Sequence, residues 1–180
     1  MTLHTARHIF LLGMMGCGKT ATGKALSDLL GYALADTDAS IEQYTHQTIT
    51  ELFAQGGEGY FRHIEAACLR CLQSLSSPMV VATGGGTPCF FDNIAQINHP
   101  ADSRSIYLAV SPARLSQRLW SERQHRPLLQ DLHTPAALEA WIANKIAERE
   151  PYYCQATHII YPLPHHSPTD IARYIADKLL

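Results

Sequence analysis

The sequence predicts an α/β fold in three layers, a parallel β-sheet with helices on both faces. Three observations carry that expectation. Short apolar runs alternate with helix-patterned stretches along the 180 residues, and such βα alternation calls for parallel strands joined by right-handed crossovers. A complete G-x-x-x-x-G-K-[ST] motif, Gly13 to Thr20, stands between the first apolar run and the first helical one. Residues able to carry chemistry fall just after the later runs, where ligands of open parallel sheets bind.

Taken in order, His8 to Leu12 is an apolar strand, and Ala21 to Leu30 is a helix stopped by Gly31. Ala33-Leu34-Ala35 is a short strand ending at Asp36. Helical stretches follow, one opened by the capping box Thr48-Ile49-Thr50-Glu51 and closed at Gly56-Gly57. Glu58 to Leu75 is a longer helix. Met79 to Ala82 is a buried strand running into Gly84-Gly85-Gly86, and Ile106 to Val110 is another strand. Ser111-Pro112, Thr134-Pro135 and Ser167-Pro168 each open a helix with a capping hydroxyl and a proline in first position. Thr157 to Tyr161 is the last strand, before a C-terminal helix. No internal repeat, low-complexity tract or linker interrupts the pattern, so one domain over 1–180 is expected.

Composition narrows the function. The chain is 46% hydrophobic and 17% charged, with a formal net charge of −2, which argues against nucleic acid or an anionic membrane as partner. The longest apolar run, Ile9 to Met15, is too short to span a bilayer. No secretory leader pattern is present, and five cysteines do not read as a secreted disulfide framework. A cytoplasmic, monomeric enzyme is expected. Ten of the fourteen basic residues are arginine, whose planar fork suits phosphate and carboxylate. Arg114 and Arg123 are read as parts of a solvated helix face.

The Gly13–Thr20 loop is a phosphate cradle. Gly13, Gly16 and Gly18 let bare backbone approach the anion, and the N–H groups through Cys17 and Ala21 face it at a helix N-terminus. Lys19 brings a point charge to the β- and γ-phosphates, and the Thr20 hydroxyl suits Mg²⁺. Asp36 and Asp38, one residue apart in an extended stretch, are read as pointing the same way, one to the metal and one to a second substrate. Asp38 also reads as a helix cap for Ala39 onward. Gly84, Gly85 and Gly86 offer backbone against which another molecule can lie. Arg62 and Glu65, three apart on a helix, make a held guanidinium, either an anion site or a surface ion pair. Arg126-Pro127-Leu128-Leu129 lies in the longest polar stretch between helices, a candidate lid of about 118–131. Arg118 is a further candidate for the nucleotide, and Arg149 one more cation near a helix end.

In this order the motifs resemble the shikimate kinase family over nearly the whole chain: the Gly13–Thr20 loop, Asp36-x-Asp38, Phe61-Arg62-x-x-Glu65, Ala82-Thr83-Gly84-Gly85-Gly86, Arg126-Pro127-Leu128-Leu129 and Arg149-x-Pro151-x-Tyr153. The resemblance implies a P-loop, nucleoside-monophosphate-kinase-like fold with a five-stranded parallel sheet, a lid and a small substrate-binding region of about 36–65. It implies ATP as co-substrate, Mg²⁺, and phosphorylation of the 3-hydroxyl of shikimate on the route to aromatic amino acids. Asp38, Arg62, Gly85, Gly86 and Arg149 would hold shikimate, with Gly84 beside them. Lys19, Thr20 and Arg126 would serve the phosphates and metal, Asp36 would reach the metal through water, and Arg118 would stack on adenine. The chemistry agrees: two arginine forks suit a carboxylate, Asp38 can take a hydroxyl hydrogen, and Lys19 with Arg126 can neutralise the charge that spreads in phosphoryl transfer. The rival readings are a gluconate- or nucleotide-type P-loop kinase and a non-catalytic nucleotide sensor.

Three segments depart from the family pattern: the Pro- and His-rich stretch Tyr161 to Pro168, Thr87-Pro88-Cys89 after the glycines, and Cys17 within the loop. Cys17 is either a packed thiol or one made reactive by a helix N-terminus and Lys19. Cys68-x-x-Cys71 sits in a helical pattern and reads as packing, as do Trp120 and Trp141. His165-His166 lacks a second pair at zinc spacing.

Overall fold

A computed structural model of the chain describes residues 6–178. Its elements run β1 (His8–Leu12), α1 (Lys19–Leu30), β2 (Ala33–Asp36), α2 (Thr37–Thr45), α3 (Ile49–Ser74), β3 (Met79–Ala82), α4 (Asn93–Asn98), β4 (Ser103–Leu108), α5 (Pro112–Trp120), α6 (Pro135–Tyr153), β5 (His158–Ile160) and α7 (Pro168–Lys178). All strand pairs are parallel, in the order β2-β3-β1-β4-β5. The predicted five-stranded, doubly covered sheet is present.

Strand β1 explains the layering. It lies between β3 and β4 and is buried along its whole length, as a central strand in a doubly covered sheet must be. Successive side chains alternate faces. Ile9 and Leu11 join Leu26, Ile106, Leu108, Leu115, Ile142 and Ile175 on the side of α1, α5, α6 and α7. Phe10 and Leu12 join Leu69, Val81 and Ile97 on the side of α3 and α4. A small third cluster, Ile41, Leu52 and Phe61, holds α2 against α3. Each fully buried side chain of this kind stabilises the fold by about 1.5–3 kcal/mol.

Local signals set the boundaries. Gly31 adopts a left-handed φ of 68° and its N–H bonds the Ser27 carbonyl, closing α1. The capping box is formed: Thr48 Oγ1 accepts from the Glu51 N–H at 3.2 Å, and Glu51 Oε2 accepts from the Thr48 N–H at 2.7 Å. The break expected at Gly56-Gly57 is a kink at Gly57 (φ 70°, ψ −173°), after which the helix resumes at Glu58. Thr134 caps α6 through the Ala137 N–H at 3.1 Å, and Ser167 exchanges bonds with Asp170 ahead of α7. Ser111 takes the capping position of α5, but its hydroxyl makes no cap bond.

Some expectations need correction. Strand β4 lies at 103–108 rather than 106–110, because Ser103 and Ser105 are buried and pair with β1 despite their polarity. Ser105 succeeds there by exchanging hydrogen bonds with Thr157. Strand β5 is three residues, shorter than 157–161. Arg114 is not a solvated face: it donates to the carbonyls of Pro162 and Leu163, pinning the Pro- and His-rich loop. Arg123 lies with its guanidinium carbon 3.8 Å from the Trp120 ring centroid. Trp120 and Trp141 do pack against the core. Among the described residues no helix is long and apolar enough to cross a membrane.

Candidate active site

The C-terminal ends of β1, β2 and β3 converge, and the motif residues meet there. The loop after β1 wraps the Lys19 ammonium, which is only 9% exposed and donates to the carbonyls of Gly13 at 2.8 Å and Met14 at 3.2 Å. Gly13, Gly16 and Gly18 all take positive φ values, the conformation glycine alone adopts without strain. Arg118, in the last turn of α5, donates to the Gly16 carbonyl at 3.1 Å and so stands over the loop. Ala21 is exposed in the first turn of α1. Cys17 is 2% exposed and belongs to the core, its sulfur 3.9 Å from Lys19 Nζ. The structure therefore favours the packed thiol.

Asp36 and Asp38 reach the cleft by a different route from the one expected. Asp36 ends β2 and caps α2, its Oδ1 accepting from the N–H groups of Asp38 at 3.1 Å and Ala39 at 3.3 Å. Asp38 is not the cap; it sits in the first helical turn, so the pair is not extended. A side chain bonding back to its own following backbone converts the strand end into a helix start. The other Asp36 oxygen accepts from the Thr20 hydroxyl at 2.8 Å. A hydroxyl and a carboxylate thus share one position beside the phosphate loop, a hard-oxygen set that suits Mg²⁺. Asp38 is half-buried. Burial first, then the charges of Asp36 and Glu65, raise its pKa to about 6, while Lys19 and Arg62 pull the other way.

On the second side of the cleft two arginines, Arg62 and Arg149, stand beside the glycine triplet. Arg62, 7% exposed on α3, donates from Nη1 to Glu65 Oε2 at 2.8 Å. Its Nε and Nη2 donate to Glu58 Oε1 at 3.3 and 3.0 Å. Glu65 is wholly buried, so this is not the surface ion pair considered above. The guanidinium carbon is 4.2 Å from the Phe90 ring centroid and 5.2 Å from that of Phe61.

The glycine triplet is shaped by these neighbours. A Cβ at Gly84 would come within 2.6 Å of Glu65 Oε1 and 3.0 Å of Asp38 Oδ1. One at Gly86 would come within 2.5 Å of Arg62 Nη2, and one at Gly85 within 3.3 Å of Arg149 Nη1. The glycines bring strand end, acid and arginines together without intervening side chains. Arg149, near the end of α6, also lies 3.5 Å from Met14 Sδ, linking the pocket to the phosphate loop.

Two supports escape sequence reasoning. Thr37 Oγ1 accepts from the Gly84 N–H at 2.7 Å, and the wholly buried Tyr153 donates to the Gly85 carbonyl at 2.5 Å. Tyr153 stands in the Arg149-x-Pro151-x-Tyr153 motif, but nothing in its spacing says that it holds the glycines. Nothing marks Thr37 at all. Arg126 is the one predicted site residue not brought to the cleft, since it donates to Glu122 Oε2 at 2.8 Å between two short 3-10 turns.

A phosphate-cradling loop with two arginines and a half-buried carboxylate beside it defines a P-loop phosphotransferase for a small anionic acceptor. The shikimate kinase family model matches residues 15–180. A shikimate kinase of Azobacteroides pseudotrichonymphae is 36% identical over 173 residues, 96% of this chain and 99% of that one. The crystal structure of shikimate kinase from Bacteroides thetaiotaomicron superposes with a TM-score of 0.86 at 34% identity, covering 96% of this chain and 97% of the other. That of the Acinetobacter baumannii shikimate kinase in complex with shikimate gives 0.84 at 31% identity, with 96% and 92% covered. The chain belongs to the shikimate kinase family.

Proposed function

We propose that the protein transfers the γ-phosphoryl group of ATP to the 3-hydroxyl of shikimate, giving shikimate 3-phosphate and ADP in aromatic amino acid biosynthesis. One observation carries the reading: the Arg62–Glu65 pair and Arg149 flank the glycine wall in the same cleft as Lys19 and Asp38. Arg62 and Arg149 take the acceptor's carboxylate, each fork bidentate where it can be. The acceptor ring lies against Gly84–Gly86, and Asp38 accepts the hydrogen of the hydroxyl that attacks.

Asp38 acts chiefly as a positioner. A loose transition state leaves little need to deprotonate the hydroxyl early, and a carboxyl with a pKa near 6 still receives the proton as the new bond forms. Lys19 leaves the Gly13 and Met14 carbonyls to meet the phosphates, and Arg118 lies beside the adenine. Thr20 and, through water, Asp36 would hold Mg²⁺, which would supply neutralisation of phosphate charge. Arg126 gives up Glu122 and swings in as the segment closes, excluding water and with it wasteful hydrolysis.

An acceptor screen tests the reading. Purified protein with Mg·ATP is offered shikimate, gluconate and nucleoside monophosphates, and the products are identified by mass. Phosphorylation of shikimate alone is expected. Turnover of gluconate or a nucleotide in its place would contradict it.

A further inference from the structure

The segment Thr87-Pro88-Cys89-Phe90-Phe91 follows the glycines and has no part in the steps above, yet it leans on α3 at three points. Thr87 Oγ1 donates to Glu65 Oε1 at 2.6 Å, and both residues are wholly buried. The Phe90 ring lies against the Arg62 guanidinium. Phe91, held at a positive φ of 50°, meets His63 edge-on with ring centroids 4.8 Å apart.

The first contact runs straight to the substrate arginine. Glu65 has two oxygens, one taken by Thr87 and the other by Arg62 Nη1. A hydroxyl, a carboxylate and a guanidinium therefore stand in series, with the last facing the acceptor pocket. Thr87 is itself fixed, because its N–H bonds the Gly84 carbonyl at 3.1 Å and its carbonyl accepts from the buried Asn93 side chain at 2.8 Å. The backbone that carries the hydroxyl is thus held beside Glu65.

Removing the hydroxyl leaves one oxygen of a buried carboxylate without a donor, which is costly. Glu65 relieves that by turning toward another donor, which weakens its hold on Arg62 Nη1 and leaves the phosphate loop untouched.

We propose that Thr87, acting through Glu65 and with Phe90 as the aromatic backing, is a positioning residue that sets how tightly Arg62 grips the acceptor's carboxylate. The inference rests on the shikimate reading above. Its consequence is selective: the acceptor's KM depends on the Thr87 hydroxyl, and ATP's does not.

Steady-state kinetics in both substrates, with thermal melting alongside, test this on the full chain. Thr87→Val is expected to raise the shikimate KM about tenfold or more with the ATP KM within about twofold, and Thr87→Ser to restore the parent value. A shikimate KM within about twofold of the parent in Thr87→Val overturns the proposal, as does an equal rise in both KM values. Should Thr87→Val fail to fold, Phe90→Leu gives the second reading: a raised shikimate KM alone supports the proposal, and an unchanged one overturns it. A parent protein that does not phosphorylate shikimate would remove the functional reading and this inference together, and the unmutated control shows which has failed.

Discussion

Arg62 holds two carboxylates and lies against two aromatic rings while keeping its place on the pocket wall. Lysine has the charge but not the fork, so Arg62→Lys is expected to raise the shikimate KM by about 10²-fold or less while leaving the ATP KM near its parent value. Gly86→Ala drives a methyl into the same guanidinium and is expected to raise the acceptor's KM as well, read in the same assay. Asp38 gives a pH prediction. It must be ionised to accept a hydrogen, so kcat/KM for shikimate falls as the pH drops through about 6. The stability effect has the opposite sense. Its folded pKa lies above the ordinary value of 3.8, so ionising it opposes folding increasingly from about pH 4 to 6 and by a constant amount above. Asp38→Asn removes that penalty, at most about 3 kcal/mol at pH 7 and nothing well below pH 4, as urea unfolding at the two pH values would read. Much of this was legible beforehand: the i, i+3 spacing pairs Arg62 with Glu65, and the glycine triplet marks a close approach. The burial of Glu65 and the hydroxyl of Thr87 were not, because both depend on a loop 22 residues further along the chain, beyond β3, folding back onto α3.

Helix α3 carries Arg62 and Glu65 beyond its kink at Gly57. Gly57 takes a left-handed φ with open space around it, so Gly57→Ala meets no clash and pays only in backbone strain. Chemical denaturation should show a loss of about 1–2 kcal/mol. An unchanged midpoint would mean that the helix accommodates a straight turn there. Capping boxes and proline-first starts were readable because they are local, satisfying nearby backbone donors with nearby side chains. The edge of β4 was not, since Ser103 and Ser105 become strand residues only through partners on β1 and Thr157. The Asp36-Thr37-Asp38 turn shows the same limit: the carboxylates were found, but the helix start that separates them needed the Asp36 cap.

At the scale of the whole molecule, the sheet order places three strand ends side by side, and function follows from that convergence. The phosphate loop comes from β1, the acids from β2 and the glycine wall from β3, while α3 and α6 each lend an arginine. In the function proposed above, the segment bearing Arg126 closes over the site. Arg126→Ala is expected to lower kcat by about 10²–10³-fold with ATP binding little changed, measured by turnover beside equilibrium titration with nucleotide. The most direct test of the account is ADP release by the purified protein with Mg·ATP, in the presence and absence of shikimate. The account predicts ADP formation that requires shikimate and is matched mole for mole by shikimate 3-phosphate. Nucleotide binding without shikimate-dependent turnover would contradict it.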